Sequence, residues 1–215
     1  KSVPCCPICR TSRVSQRENH VLIAAYLTLI EKPSLERRKK VFLHTLGVLL
    51  FESKIKSLEV QAIEILCRAV TLGNSKSALY LGYFFKDSPI KQKVFFELGA
   101  KKNDAECIYE YVKMGGVNHI KALSLLRTIT HTDYGCDALA NMLYKDPDTT
   151  DLQEALGLFV AASDLGNIHA TKTLLKIFTT GDKNIKPHKI LANKYEQRLF
   201  ATRLMILSKL EIEIP

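Results

Sequence analysis

The chain has 215 residues, a hydrophobic fraction of 47% and a formal net charge of +9 at pH 7. This hydrophobic fraction argues against a disordered chain, and the length is sufficient for a sizeable core. No apolar run reaches the roughly 18–20 residues that cross a membrane, and the start lacks the pattern of a secretory signal peptide.

The positive charge is concentrated at the two ends of the chain. Residues 1–40 hold nine Lys or Arg against three acids, which gives +6, and residues 181–209 hold seven against two, which gives +5. The last six residues carry −2, so residues 41–180 are neutral. This polarised charge indicates two separate surfaces that could face anions.

The first 19 residues form a basic arm that contains Cys6-Pro7-Ile8-Cys9. A C-x-x-C turn presents two thiolates to one metal, so the spacing indicates either a zinc site or unligated thiols. The remaining candidate ligands are Cys5 and His20. The motif, with the Arg10 that follows it, resembles the closing cysteine pair of a RING-type zinc finger but lacks the earlier ligands. Because the first residue is Lys1, we expect upstream residues that could supply them.

Residues 20–56 predict an opening helical hairpin. Its first helix spans about 18–30, and its second runs from about Leu35 into the low fifties, after Pro33-Ser34. The second helix begins with the basic run Arg37–Lys40, which the helix macrodipole disfavours. The run therefore indicates either a compensating anion such as phosphate or a solvated first turn.

Residues 57–180 contain repeats. The stretch Ala62–Phe85 is repeated by Ala155–Phe178, and a Gly-Asn turn occupies the same place in both. The pattern predicts helix pairs at 60–72 with 75–86, 90–101 with 104–114, 118–129 with 135–145, and 152–165 with 168–179. The predicted turn anchors are Gly73, the region near Asn103, Gly135 and Gly166. Short helices at a period of about 30 residues are typical of a helical solenoid.

Two of these repeats carry a family pattern. They read Ala69-x-x-x-Gly73-Asn74 followed by Leu81-Gly82-x-x-Phe85, and Ala161-Ala162-x-x-x-Gly166-Asn167-x-x-Ala170-x-x-x-Leu174. The pattern resembles the Sel1-like repeat, a short relative of the tetratricopeptide repeat, over about residues 58–180, although Leu175 replaces the second glycine. The resemblance implies an all-α fold, a right-handed α-solenoid of helix hairpins, that serves as a scaffold for protein complexes and has no catalytic residues.

Residues 181–215 predict a turn and a basic C-terminal helix, at about 188–209 after Pro187. We expect this helix to cap the last repeat, with a basic outer face that could dock onto an anion.

The sequence contains no nucleotide-binding, esterase or metalloprotease motif, and its six histidines are scattered. We therefore predict a non-catalytic protein with no small-molecule substrate and no cofactor other than zinc. Cys67, Cys107 and Cys136 lie in helical apolar patterns, where we expect buried free thiols. This cysteine usage favours a reducing compartment, so we expect a cytoplasmic protein. The lack of a long apolar run predicts no membrane partner.

The charge pattern favours binding to RNA or a ribonucleoprotein, with the ribosome as the favoured target. The residues predicted to contact phosphates are Arg10, Arg13, Arg17, Arg37, Arg38, Lys39, Lys40, Lys189, Lys194 and Arg198. The alternative is a protein–protein adaptor with a peptide-binding repeat groove. It becomes a ubiquitin-ligase component if a RING is completed upstream.

Overall fold

The computed structural model describes residue 28 and residues 38–53, 56–145, 152–182 and 185–211, without the side chains of 56, 57, 203 and 206–211. Ten α-helices form the secondary structure of this part of the chain, together with one isolated β-bridge between Asp182 and Ile185. The chain divides into two compact units, Lys1–Cys107 (unit 1) and Ile108–Pro215 (unit 2).

The described residues from Arg38 onward in unit 1 contain four complete helices and the start of a fifth. They are α1 (Lys39–Glu52), α2 (Lys56–Thr71), α3 (Ser75–Phe84), α4 (Pro89–Ala100) and α5 (Ala105–Lys113), which continues into unit 2. Helix α1 packs on α2 through Leu46, Leu50 and Ala62, and α3 packs on α4. Leu66, Leu81 and Phe96 are fully buried, so the apolar stripes of the sequence face the spaces between neighbouring helices.

The described part of unit 2 contains the rest of α5 and five further helices. They are α6 (His119–Arg127), α7 (Asp133–Lys145), α8 (Leu152–Asp164), α9 (Ile168–Thr180) and α10 (Lys189–Glu211). Phe159 and Leu174 form a buried cluster with the small residues Cys136, Ala140, Ala162 and Ala170 and with Tyr195 of α10. The small side chains allow α7, α8 and α9 to approach closely, and Tyr195 attaches the last helix to the same core.

The four predicted helix pairs are confirmed, with bounds that differ by a few residues, and the predicted C-terminal helix is α10. The described part of the predicted second opening helix is α1, from Lys39. The predicted first helix, about 18–30, lies outside the described residues except for Thr28, which is helical.

The turns that follow α2 and α8 share one hydrogen-bonding pattern. Gly73 and Gly166 have φ of +83° and +94°, and Asn74 and Asn167 donate their backbone N–H to the carbonyls of Ala69 and Ala162, at 3.0 and 2.9 Å. This left-handed ending satisfies the last carbonyls of a helix and favours glycine. Asn103 takes the same conformation, with φ of +58°.

The third predicted turn anchor, Gly135, was wrong. Gly135 lies inside α7 and is buried, and a Cβ there would clash with the backbone carbonyl of Ile129. The preceding connection is formed by residues 128–132. Gly135 is a packing residue. A left-handed glycine, Gly115 with φ of +66°, lies in the earlier connection between α5 and α6.

The second helix of each repeat hairpin begins with a side-chain cap. An oxygen of the capping side chain accepts a hydrogen bond from the backbone N–H three residues later. The four acceptor–donor pairs are Asn74 with Ser77, Asp104 with Cys107, Thr132 with Gly135, and Asn167 with Ala170, at 2.9–3.2 Å. Both of these capping asparagines also contact the preceding helix hairpin. Asn74 Nδ2 donates to Lys40 O at 3.0 Å, and Asn167 Nδ2 donates to Asp133 Oδ2 at 3.3 Å. These residues therefore both start a helix and connect successive hairpins.

We expect Asn167→Ala to lower the free energy of unfolding by about 1–2 kcal/mol, because it removes a helix cap and a bond to Asp133. Asn118→Ala is the matched control, because Asn118 caps α6 through the Lys121 N–H alone. Urea denaturation of both variants measures the difference. Equal losses would contradict the role of Asn167 as a connection between hairpins.

Candidate functional site

Helices α5, α7 and α9 border a groove of about 600 Å³, whose lining residues all belong to unit 2. We call it the α5–α7–α9 groove. Each of these helices is the second helix of its hairpin, so the groove lies on the same element of three consecutive repeats. Its walls carry aromatic and apolar side chains together with several polar groups.

The apolar part of the groove is centred on two tyrosines. The rings of Tyr109 on α5 and Tyr134 on α7 meet edge to face, with centroids 5.4 Å apart. Lys113 Nζ lies 5.5 Å from the centroid of the Tyr109 ring, and Val112 and Met142 are half-buried beside the pair. Such a surface can bind an apolar side chain while the lysine remains hydrated at its edge.

The polar part of the groove is a cluster of three side chains. Asp137 on α7 lies 3.0 Å from Nδ1 of His169 on α9, and Asn141 Nδ2 donates to Asp137 Oδ1 at 3.1 Å. The Asp137 side chain is 16% exposed and that of His169 is 65% exposed. The cluster presents donors and acceptors of the kind that a peptide backbone needs.

This cluster has no local signal in the sequence, because Asp137 and His169 are 32 residues apart. Only the repeat period, which is close to that separation, could have indicated that they meet. Each residue taken alone is an ordinary polar residue on a helix surface.

The predicted buried thiols are confirmed at Cys107 and Cys136, while Cys67 is only partly buried, and all three are free. Burial raises the pKa of each thiol, and at Cys107 the neighbouring Asp104 carboxylate raises the pKa further. These cysteines are therefore poor nucleophiles at neutral pH.

The predicted zinc ligands Cys5, Cys6, Cys9 and His20 lie outside the described residues, so the zinc site and the ubiquitin-ligase alternative stay predictions. Within the described ranges, no group of three or more His, Cys, Asp or Glu residues is placed to hold a metal ion. In the same part of the chain, no helix combines the length and the hydropathy that would let it cross a membrane.

The predicted phosphate-contacting residues that the structure describes are divided between the two units. Arg38, Lys39 and Lys40 lie at the start of α1 in unit 1, and Lys189, Lys194 and Arg198 lie on α10 in unit 2. The other four, Arg10, Arg13, Arg17 and Arg37, lie outside the described residues. A nucleic-acid role for these ten residues stays a prediction.

Two of the α10 cations take part in contacts within unit 2. Arg198 forms an ion pair with Asp164, and its NH1 donates to Ser163 Oγ at 3.1 Å. Ser163 Oγ in turn lies 2.9 Å from Thr171 Oγ1, so Arg198 connects α10 to both α8 and α9. Lys194 Nζ lies 5.6 Å from the centroid of the Tyr195 ring. Arg198 therefore helps to attach α10 to the preceding hairpin.

Successive helix hairpins with shared turns and shared caps define an α-solenoid repeat protein. Within that class, the chain has the Sel1-like repeat (SLR) fold, which confirms the resemblance seen in the sequence. It is similar to the crystal structure of c5321, "a protective antigen present in uropathogenic Escherichia coli strains displaying an SLR fold", with a TM-score of 0.61 and 14% identity.

That match covers 86% of this chain and 54% of the Escherichia coli chain, so this chain spans about half the length of that structure. A Sel1 repeat protein from Oxalobacter formigenes is also similar, with a TM-score of 0.46 and 15% identity over 87% of this chain and 99% of that chain. No protein-family model and no curated protein sequence matches this chain.

Proposed function

We propose that the chain is a non-catalytic protein–protein adaptor that binds a segment of a partner protein in the α5–α7–α9 groove. The observation that carries this proposal is the groove itself, in which an aromatic surface adjoins a polar cluster on consecutive hairpins. The SLR fold supports it at the level of architecture, because stacked hairpins create extended surfaces that repeat proteins use for binding. The free thiols are consistent with a cytoplasmic location.

The arrangement of the groove favours a peptide segment as the ligand. The Tyr109–Tyr134 pair offers a site for one apolar side chain, and Asn141 with the Asp137–His169 pair offers hydrogen bonds to main-chain amides. Peptide recognition commonly combines apolar anchor sites with main-chain hydrogen bonds in this way. We therefore expect a partner segment with one large apolar residue beside a polar stretch.

Ala138→Arg tests the groove directly. Ala138 lines the groove at half-buried depth on α7, between the positions of Tyr134 and Met142, so an arginine there would occupy the space of the ligand. The parent chain should capture partner proteins from cell extract. We expect Ala138→Arg to lower the captured amount at least about tenfold, because each anchor contact is worth on the order of 1–2 kcal/mol. Quantitative mass spectrometry of the captured proteins measures the loss.

Ala201→Arg is the matched control, because Ala201 is exposed on α10 and lines neither the groove nor the cleft described below. Both variants should keep the parent circular dichroism spectrum. The adaptor function would be supported by partners that stay bound after nuclease treatment. These partners should be lost in Ala138→Arg and retained by Ala201→Arg. Partners that are all released by nuclease, or retained by Ala138→Arg, would contradict it and favour the ribonucleoprotein hypothesis or another surface.

A further inference from the structure

A second cleft, of about 770 Å³, lies between α9 and α10 within unit 2. It shares no lining residue with the α5–α7–α9 groove. Lys172 and Lys176, one helical turn apart on α9, form one wall, and Lys189 at the start of α10 stands on the other. Leu175, Phe178 and Ala192 supply an apolar floor.

The cleft has an excess of positive charge that the described part of the chain does not neutralise. Its three lysines are exposed, and no carboxylate of the described residues lies within ion-pair distance of them. Glu196 is the single acidic residue among the lining side chains. The N-terminal end of α10 adds positive potential on the same side, because the peptide dipoles of a helix are aligned.

The lining favours an acidic peptide over a nucleic acid. Sequence-tolerant binding of single strands uses open aromatic faces on which bases stack. Here the Phe178 ring is stacked on Tyr195, with centroids 5.8 Å apart and an interplanar angle of 7°, so that face is already occupied.

The threonines at the end of α9 point to the same ligand. Thr179 and Thr180 donate their hydroxyl hydrogens to the carbonyls of Leu175 and Lys176, at 2.7 and 2.9 Å. Their oxygens can then act only as acceptors. A peptide N–H can donate to them, whereas the phosphate groups of a nucleic acid cannot, and only its sugar hydroxyls or base N–H groups could.

We propose that the α9–α10 cleft binds an acidic peptide segment, with carboxylates on Lys172, Lys176 and Lys189 and with apolar contact to the floor. This site is separate from the groove of the proposed function. A chain with both sites can hold two segments at once, either from two partners or from one partner that binds more tightly through both.

Fluorescence anisotropy of a labelled Glu-rich decapeptide on the full chain at low salt tests the cleft. We expect Lys172→Glu/Lys176→Glu to weaken binding about tenfold or more, because two attractive charge contacts become repulsive. Lys86→Glu/Lys121→Glu is the control, because it makes the same change in net charge at two exposed lysines outside the cleft. Less than about a twofold change is expected there, since screened charges at a distance contribute little.

Glu196→Gln should raise the affinity for the peptide, which a misfolded variant could not do. It removes the one acidic group of the cleft, so binding of the Glu-rich peptide should tighten about twofold to threefold. Ala138→Arg should leave the affinity unchanged, which separates this site from the groove.

Three results would overturn the proposal. One is equal weakening by both double variants, which would mean that net charge alone attracts the peptide. Another is an oligouridine of the same length that binds more tightly than the Glu-rich peptide and no longer binds to the Lys172→Glu/Lys176→Glu variant. That result would make the cleft a nucleic-acid site. The third is an unchanged affinity in Glu196→Gln.

Discussion

Gly82→Ala is expected to lower the free energy of unfolding by about 2–3 kcal/mol, because a methyl group has no space at this position. Gly82 is buried in α3, and a Cβ built on it would lie 2.6 Å from Cδ1 and 2.8 Å from Cζ of Phe96. Phe96 is fully buried, so its ring can move only by displacing other core atoms of unit 1. Urea denaturation followed by circular dichroism measures the change.

The same substitution should have the opposite sign at Gly157. This glycine is exposed in α8, and a Cβ there would meet no atom within 4 Å. Gly157→Ala should therefore raise the free energy of unfolding by about 0.5–1 kcal/mol, which is the gain in helix propensity. If Gly82→Ala were equally stabilising, the close approach of α3 and α4 would be wrong.

The hairpins of this chain could be predicted because their signals are local. A helical period of apolar residues and a Gly-Asn turn each act within a few residues, and both were sufficient to place α2, α3, α8 and α9 closely. Gly135 shows where this reasoning fails. Glycine serves both a left-handed turn and a close packing contact, and only the position of the Ile129 carbonyl distinguishes the two.

The candidate sites depend on contacts between residues that are distant in sequence. The contact of Asp137 with His169 requires α7 and α9 to lie side by side, and neither residue has a sequence context that indicates its partner. The positive charge of α10 could be read from the sequence, but the contacts of each cation could not. Arg198 pairs with Asp164, whereas Lys189 faces an uncompensated cleft, and the number of cations does not distinguish these outcomes.

Asp104→Ala is the second substitution for which we expect a large loss, about 2–3 kcal/mol in the free energy of unfolding. Oδ1 of the buried Asp104 accepts the Cys107 N–H at 3.2 Å and so caps α5. Oδ2 accepts from Ser75 Oγ at 2.9 Å and lies 3.2 Å from Lys76 Nζ on α3. The substitution removes the cap of α5 and leaves the Ser75 hydroxyl without its acceptor. It also removes the ion pair with Lys76, which contributes little because Lys76 is largely exposed.

The pH dependence of this loss identifies the carboxylate as its source. Burial opposes ionisation of Asp104, but the hydrogen bonds from Cys107 and Ser75 and the charge of Lys76 outweigh it and hold its pKa below the usual value. A lowered pKa in the folded state means that the unfolded chain binds the proton more readily. The stabilisation is therefore complete above the unfolded-state pKa and is lost as the pH falls through the folded-state pKa.

The free-energy difference between the parent and Asp104→Ala should accordingly be constant near neutral pH and should shrink below about pH 4. Asp104→Asn is the matched control, because asparagine keeps an oxygen that can cap α5 but carries no charge. We expect it to lose about 1 kcal/mol and to show a similar decrease of that difference in acid. If the difference for Asp104→Ala did not change with pH, the carboxylate would not be the group that joins α3 to α5.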